Sequence, residues 1–291
     1  MDGASPVAPS EALWELLDRE TDGLTDEGLV HERHAVAAFG LPFECVLIPS
    51  RADRAGTPSA ERPAFGVHSA DRIRRKEAFW RSETLIATPN RFPFFAPQAL
   101  LWPAHESPRE PSTGFLAACF DVAEGTGASV LFNSIGASAS IPVAHGHLMR
   151  RESPVLGRVE LELVERVAGA EVLTPTGNFP LFAAVVHAAN AQRRADLVIG
   201  LLAARRHAAF NVLAERDLAW VFPRTLEVAA AHFPFAIGAG ELWGRFVYPD
   251  RDSFAEATST RLESALKSAV PVARSAQREG LCRLLSKDDQ S

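Results

Sequence analysis

The sequence predicts an α+β fold: two related strand-rich halves forming an antiparallel sheet with flanking helices. Two observations carry this prediction. Strand-like segments follow one another directly along the chain, with helices gathered between groups of them, rather than alternating strand by helix. Short echoes also recur. Thr88-Pro-Asn-Arg-Phe-Pro93 returns as Thr174-Pro-Thr-Gly-Asn-Phe-Pro180, and Phe132-Asn133 returns as Phe210-Asn211, which suggests a duplicated unit. A chain of 291 residues with 47% hydrophobic and 23% charged residues is long enough to bury a substantial core. The expected organisation is an N-terminal helical segment over 1–40, a first half over 41–155 and a second half over 156–291 with C-terminal helices.

The elements follow in order. Leu13, Leu16 and Leu17 share one face of a helix over 10–20, with Ser10 as its cap. A second helix is expected through Val30–Phe39, and FECVLIP at 43–49 reads as a buried strand. Residues 50–80, rich in Arg, read as a long loop or ragged hairpin. ETLIATP (83–89) and ALLWP (99–103) are strands separated by the break NRFPFF. Phe115, Leu116, Cys119, Phe120 and Ala123 recur at helical spacing, and Glu124-Gly-Thr-Gly127 ends that helix. ASVLFN (128–133) and VAHGHLM (143–149) are strands. The second half supplies strands at 159–165, 208–215, 218–224 and 240–249, a helix over 191–206, and closing helices near 252–268 and 270–285.

Charge and composition exclude several functions. A net charge of −6 and a pI near 5.9 do not provide the basic face that nucleic-acid backbones require. The apolar run DLVIGLLAA at 196–204 falls far short of the roughly 20 residues of a membrane helix. The opening MDGASPVAPS lacks the basic and apolar regions of a signal peptide. Cys45, Cys119 and Cys282 are scattered without a CxxC, so neither a disulfide framework nor a structural zinc site is expected. The reading is a cytoplasmic protein.

Chemistry concentrates in FNSIGASASIPVAHGHLM at 132–149. His145 and His147, one residue apart on a strand, project from the same face. One can act as nucleophile while the other orients it. The small polar run from Ser134 through Gly136 and Ser138 lets backbone approach a phosphate and supplies N–H and hydroxyl donors. A histidine nucleophile needs an electrophile such as a phosphoanhydride, with charge neutralised around it.

With Asn90-Arg-Phe-Pro93, His105, Phe132-Asn-Ser134, Gly136, His145-Gly-His147, Phe222-Pro-Arg224 and Gly240-Glu-Leu-Trp-Gly244, the segment 83–268 resembles a known group. That group is the galactose-1-phosphate uridylyltransferase, GDP-hexose phosphorylase and diadenosine-tetraphosphate phosphorylase branch of the histidine-triad (HIT-like) superfamily. The resemblance implies a HIT-like fold and a nucleotidyltransferase or phosphorylase. Its substrate would be a nucleoside-diphosphate sugar or dinucleoside polyphosphate, handled through a covalent nucleotidyl-histidine without cofactor or metal. It places the nucleophile at His147, with His145 and Asn133 in support. Asn90, Arg91, Phe92 and Pro93 would line the base and ribose pocket, and Arg224 and Glu241 would serve the second substrate. A homodimer is compatible with it. The sequence departs from the family pattern at Met149, where Gln is usual and where a thioether cannot donate to a phosphate. Arg150 or Arg151 is the candidate replacement. The turn Ile141–Ala144 is also longer than usual. Two other readings compete. One is a cupin-like metal site using the HxH and Glu152. The other is a nucleotide-binding pseudoenzyme, for which Met149 is the main argument.

Overall fold

A computed structural model describes residues 9–54, 67–167, 169–273 and 281. The chain begins with helices α1 (Pro9–Glu20) and α2 (Asp26–Leu29), then strands β1 (Glu32–Ala38) and β2 (Leu41–Leu47). A 3-10 segment (Pro49–Arg54) and α3 (Val67–Lys76) lead into the first half. That half contains β3 (Trp80–Arg81), β4 (Leu85–Pro89), β5 (Gln98–Pro103), α4 (Thr113–Thr126), β6 (Ser129–Asn133) and β7 (Gly146–Met149). The second half repeats the plan with β8 (Leu161–Val167), β9 (Ala170–Pro175), β10 (Ala184–His187), α5 (Ala191–Ala203), β11 (Phe210–Glu215) and β12 (Leu218–Pro223). The closing elements are β13 (Val228–Ala229), β14 (Phe233–Ala236), α6 (Ala239–Trp243), β15 (Arg245–Tyr248), α7 (Arg251–Ala255) and α8 (Ser259–Ala269).

Ten strands form one antiparallel sheet in the order β3-β4-β5-β7-β6-β11-β12-β10-β9-β8. Each half therefore reads three strands, a helix and two strands in sequence, and adopts the same spatial order from the sheet edge inward. The two halves join at the centre, where β6 pairs with β11. The TP echo marks equivalent strand ends, Pro89 on β4 and Pro175 on β9. The FN echo has a different basis: Asn133 and Asn211 are cross-strand partners at the seam. Helices α1, α4 and α5 cover one face of the sheet, packing on Val130, Leu148 and Val212. On the other face Leu131, Met149, Leu213 and Trp220 meet β2, α6, β15 and α8.

Local chemistry explains the helix ends. Ser112 accepts from the Phe115 N–H to cap α4, and Gly127 closes it in a left-handed conformation at φ 61°. Asn190 caps α5 through the Arg193 N–H. Three expectations change. Residues 32–38 form a strand, not a helix, because they pair with β2 in a hairpin whose turn residues Phe39 and Gly40 both take positive φ. Within 50–80 the chain forms a 3-10 segment and α3. Residues 239–243 are the short helix α6, and the strand begins only at Arg245, where it pairs in parallel with β2. The expected closing helix near 270–285 falls largely outside the described residues. No described helix is long and apolar enough to cross a membrane.

Candidate active site

Strand β7 lies between β5 and β6, so His147 stands across from Leu100 on one side and Leu131 on the other. Period-two alternation puts His145 and His147 on the same face, with ring centroids 5.1 Å apart. The residue between them must be small. A Cβ on Gly146 would stand 2.9 Å from Val130 Cγ1 and 3.0 Å from the Phe132 ring on the opposite face.

His145 is buried and stacks on Trp102 with centroids 5.0 Å apart. Its Nδ1 lies 2.7 Å from the Val143 carbonyl, to which it donates. The His147 Nδ1 is buried without a hydrogen-bond partner. Nε2 is the ring nitrogen left to meet a substrate in the cleft that His147 lines. Burial holds the His147 imidazole well below its ordinary pKa, and nearby His145 and Arg51 push the same way. Burial also lowers His145, against the opposing effect of its bond to Val143. Both rings are therefore neutral at pH 7, which leaves a lone pair on His147.

The cleft holds a cavity of about 110 Å³ that opens to solvent at its mouth. It brings together His147, His145, Asn133, Asn90, Phe92, Ser138 and Glu241. The turn after β4 faces the histidines: the Phe94 ring lies 5.8 Å from that of His147. Asn90 shapes that turn, accepting from the Phe92 N–H at 3.0 Å and donating to Gln98 Oε1. Phe92 stands 44% exposed on the rim. Glu241 accepts from the Gly238 N–H at 2.7 Å, and burial raises its carboxyl above the usual range against that bond and the nearby Arg51. Ser138 holds φ 77° while its N–H donates to Glu227 Oε1 at 2.8 Å.

Other expected site residues lie off the cleft lining. Arg91 turns outward to Glu77 at 2.9 Å, and Pro93 is not among the cleft-lining residues. The Ser134 hydroxyl accepts from the Phe210 N–H at 2.7 Å, so it fastens β6 to β11. Gly136 holds a turn at φ 81° against Ala209. Met149 is wholly buried in the core, because the face it shares with His147 runs from the cleft under the β2–β15 layer. Arg224 is also buried, its guanidinium shared among Asn211, Ala269 and Leu226, and burial depresses its pKa to about 10. Arg150 lies over Trp14, and Arg151 over Phe95 and Trp243. Glu152, which the cupin-like reading needs, forms a two-pronged pair with Arg216.

The sequence reading missed Arg51 and Gly238 as cleft residues. Arg51 is the one Arg or Lys among the cleft-lining described residues. It donates to the Phe92 carbonyl at 2.6 Å and lies 6.0 Å over the Phe94 ring. It lies in the 3-10 segment that follows the buried strand β2.

The fold is α+β, a ten-stranded antiparallel sheet with flanking helices, and it is shared with solved enzyme structures. The yeast Ap4A phosphorylase Apa2 in complex with Ap4A superposes with a TM-score of 0.68 at 14% identity, over 92% of this chain and 100% of that one. The same yeast enzyme in complex with AMP gives 0.65 at 13% identity, over 92% and 99% of the two chains. No family model matches the sequence, and no curated protein matches it.

Proposed function

We propose that the protein is a nucleotidyl-transferring enzyme, either a phosphorylase or a nucleotidyltransferase. Its substrate is a dinucleoside polyphosphate or a nucleoside-diphosphate sugar. His147 Nε2 attacks the α-phosphorus, a P–N bond forms, and the anhydride P–O bond breaks with its electron pair leaving on the departing phosphate. In the second step an oxygen of inorganic phosphate or a sugar phosphate attacks the same phosphorus. The P–N bond breaks and the imidazole is restored. With inorganic phosphate as acceptor, the product is a nucleoside diphosphate.

The observation that carries this reading is the neutral, partly exposed His147 at the floor of a cleft that also holds Arg51, Asn133 and the aromatic turn of Phe92 and Phe94. Arg51 supplies the positive charge that a polyphosphate requires. Phe92 offers a ring face on which a base can stack. The shared architecture with a yeast enzyme crystallised with Ap4A and with AMP supports the same class.

The test is a thermal-shift screen of dinucleoside polyphosphates and sugar nucleotides, followed by product analysis with and without inorganic phosphate. A ligand that binds only the folded state raises the transition temperature in proportion to the logarithm of its concentration. Phosphate-dependent appearance of a nucleoside diphosphate identifies a phosphorylase. Binding of no nucleotide at any concentration refutes the proposal.

A further inference from the structure

A chain of donors that cannot reverse fixes the Asn133 carboxamide. Every nitrogen of an arginine side chain is a donor only. Arg224 Nη1 donates to Asn211 Oδ1, so the fully buried Asn211 amide must turn its Nδ2 the other way. That Nδ2 donates to Asn133 Oδ1 at 2.7 Å and to the Ala137 carbonyl at 3.1 Å. The backbone N–H of Ala239, also a donor only, meets the same Asn133 oxygen at 2.8 Å. Its approach depends on Gly238, where a Cβ would stand 2.9 Å from Ser138 Cβ and 3.2 Å from Asn133 Oδ1. The oxygen of Asn133 is thus engaged from two sides. What Asn133 retains for the cleft is its Nδ2 donor pair.

We propose that Asn133 donates a hydrogen bond to a substrate phosphate oxygen beside His147, and that Asn211 and Arg224 are positioning residues that set its polarity. The assignment rests on the nucleotide reading above and deepens it. It also gives the second half of the sheet a role. Strand register puts Trp220 where the first half has His147, since both stand across from the paired residues Leu131 and Leu213. The second half thus carries no equivalent nucleophile. Its contribution at the seam is the Asn211–Arg224 pair that orients a side chain of the first.

Calorimetry with AMP and adenosine on the full chain tests this. Asn133→Asp keeps an oxygen for both existing donors and replaces the cleft-facing donor with an acceptor. It is expected to weaken AMP by at least about tenfold while leaving adenosine within about twofold, as loss of a hydrogen bond to a charged group requires. Asn211→Asp sets an acceptor against the Asn133 oxygen while the Ala239 N–H still holds that oxygen, so the amide loses its single fixed polarity and a selective loss of AMP, smaller than that of Asn133→Asp, is expected. Arg224→Lys preserves a donor to Asn211 and is expected to retain more of the AMP preference than Arg224→Met. A purely structural role would lower AMP and adenosine together. An unchanged AMP-to-adenosine ratio in Asn133→Asp overturns the donor assignment and leaves the nucleotide reading standing. Loss in Asn133→Asp with the ratio kept in Asn211→Asp, or equal ratios in the two Arg224 variants, overturns the positioning role. A wild type that binds neither ligand overturns the nucleotide reading and this assignment with it.

Discussion

Gly238→Ala isolates the geometry of the cleft from its chemistry. The backbone at Gly238 has φ −113° and ψ −164°, which any residue can adopt, so alanine brings no conformational strain of its own. The added methyl meets Ser138 Cβ at 2.9 Å, Asn133 Oδ1 and Ser138 Oγ at 3.2 Å. Both neighbours are short side chains on a backbone already held by hydrogen bonds to Asn211 and Glu227, so neither can swing away. The start of α6 must therefore retreat by several tenths of an ångström, which stretches the Ala239-to-Asn133 bond and displaces Glu241. Overpacking of this kind costs about 1–3 kcal/mol, and a displacement approaching 1 Å in an active site lowers turnover by about a hundredfold. Urea denaturation measures the first quantity and steady-state turnover the second. Gly200→Ala in α5 is the control: nothing lies within 4 Å of its added methyl, so helix propensity alone predicts a gain of about 0.5–1 kcal/mol. A Gly238→Ala variant as stable and as active as wild type would refute the close approach on which the site is built.

Further predictions follow from individual contacts. Asp26 holds the fully buried Arg245 by two bonds at 2.8 and 2.7 Å, while Glu44 is its other carboxylate at 3.2 Å. Asp26→Asn should therefore cost about 3 kcal/mol, near the lower end for breaking a buried ion pair, read from the urea midpoint at constant slope. Met149→Leu should stay within about 1.5 kcal/mol of wild type and leave turnover intact, because the side chain fills core; lost turnover with stability intact would place it in the site. A pH–rate profile should stay level on its acidic side well below the ordinary histidine range, because His147 titrates there only in stronger acid. Stability carries the same sign. Folded-state pKa values of His145 and His147 lie below their unfolded values, so their contribution is full above the unfolded value near 6.5 and is lost as pH falls toward the folded ones. Replacing both histidines with Gln should reduce that acid-side loss in urea titrations; an unchanged slope would contradict it.

Much of the site was legible because it depends on local periodicity. His145 and His147 share a face by alternation alone, and the NRFP break between two strands announced a turn. The Thr-Pro echo revealed the duplication because it closes equivalent strands. Other features are set by partners distant in sequence. The segment Glu32–Ala38 is rich in alanine and carries no strong strand signal, so its pairing with β2 decides its conformation. Asn133 and Asn211 looked like repeats, yet they meet across the seam of the sheet. Arg224 and Met149 carried motif positions but are enclosed by packing that no spacing rule reveals. Arg51 reaches the cleft from a segment that read as loop.

The central claim is that His147 becomes covalently nucleotidylated. Intact-protein mass spectrometry measures this directly after brief incubation with a dinucleoside polyphosphate or sugar nucleotide and no acceptor. The account predicts a mass increase of one nucleotidyl group on wild type, discharged when inorganic phosphate or a sugar phosphate is added, and no increase on His147→Ala, which still binds nucleotide. An active wild type that never acquires the mass, with turnover surviving in His147→Ala, would contradict it.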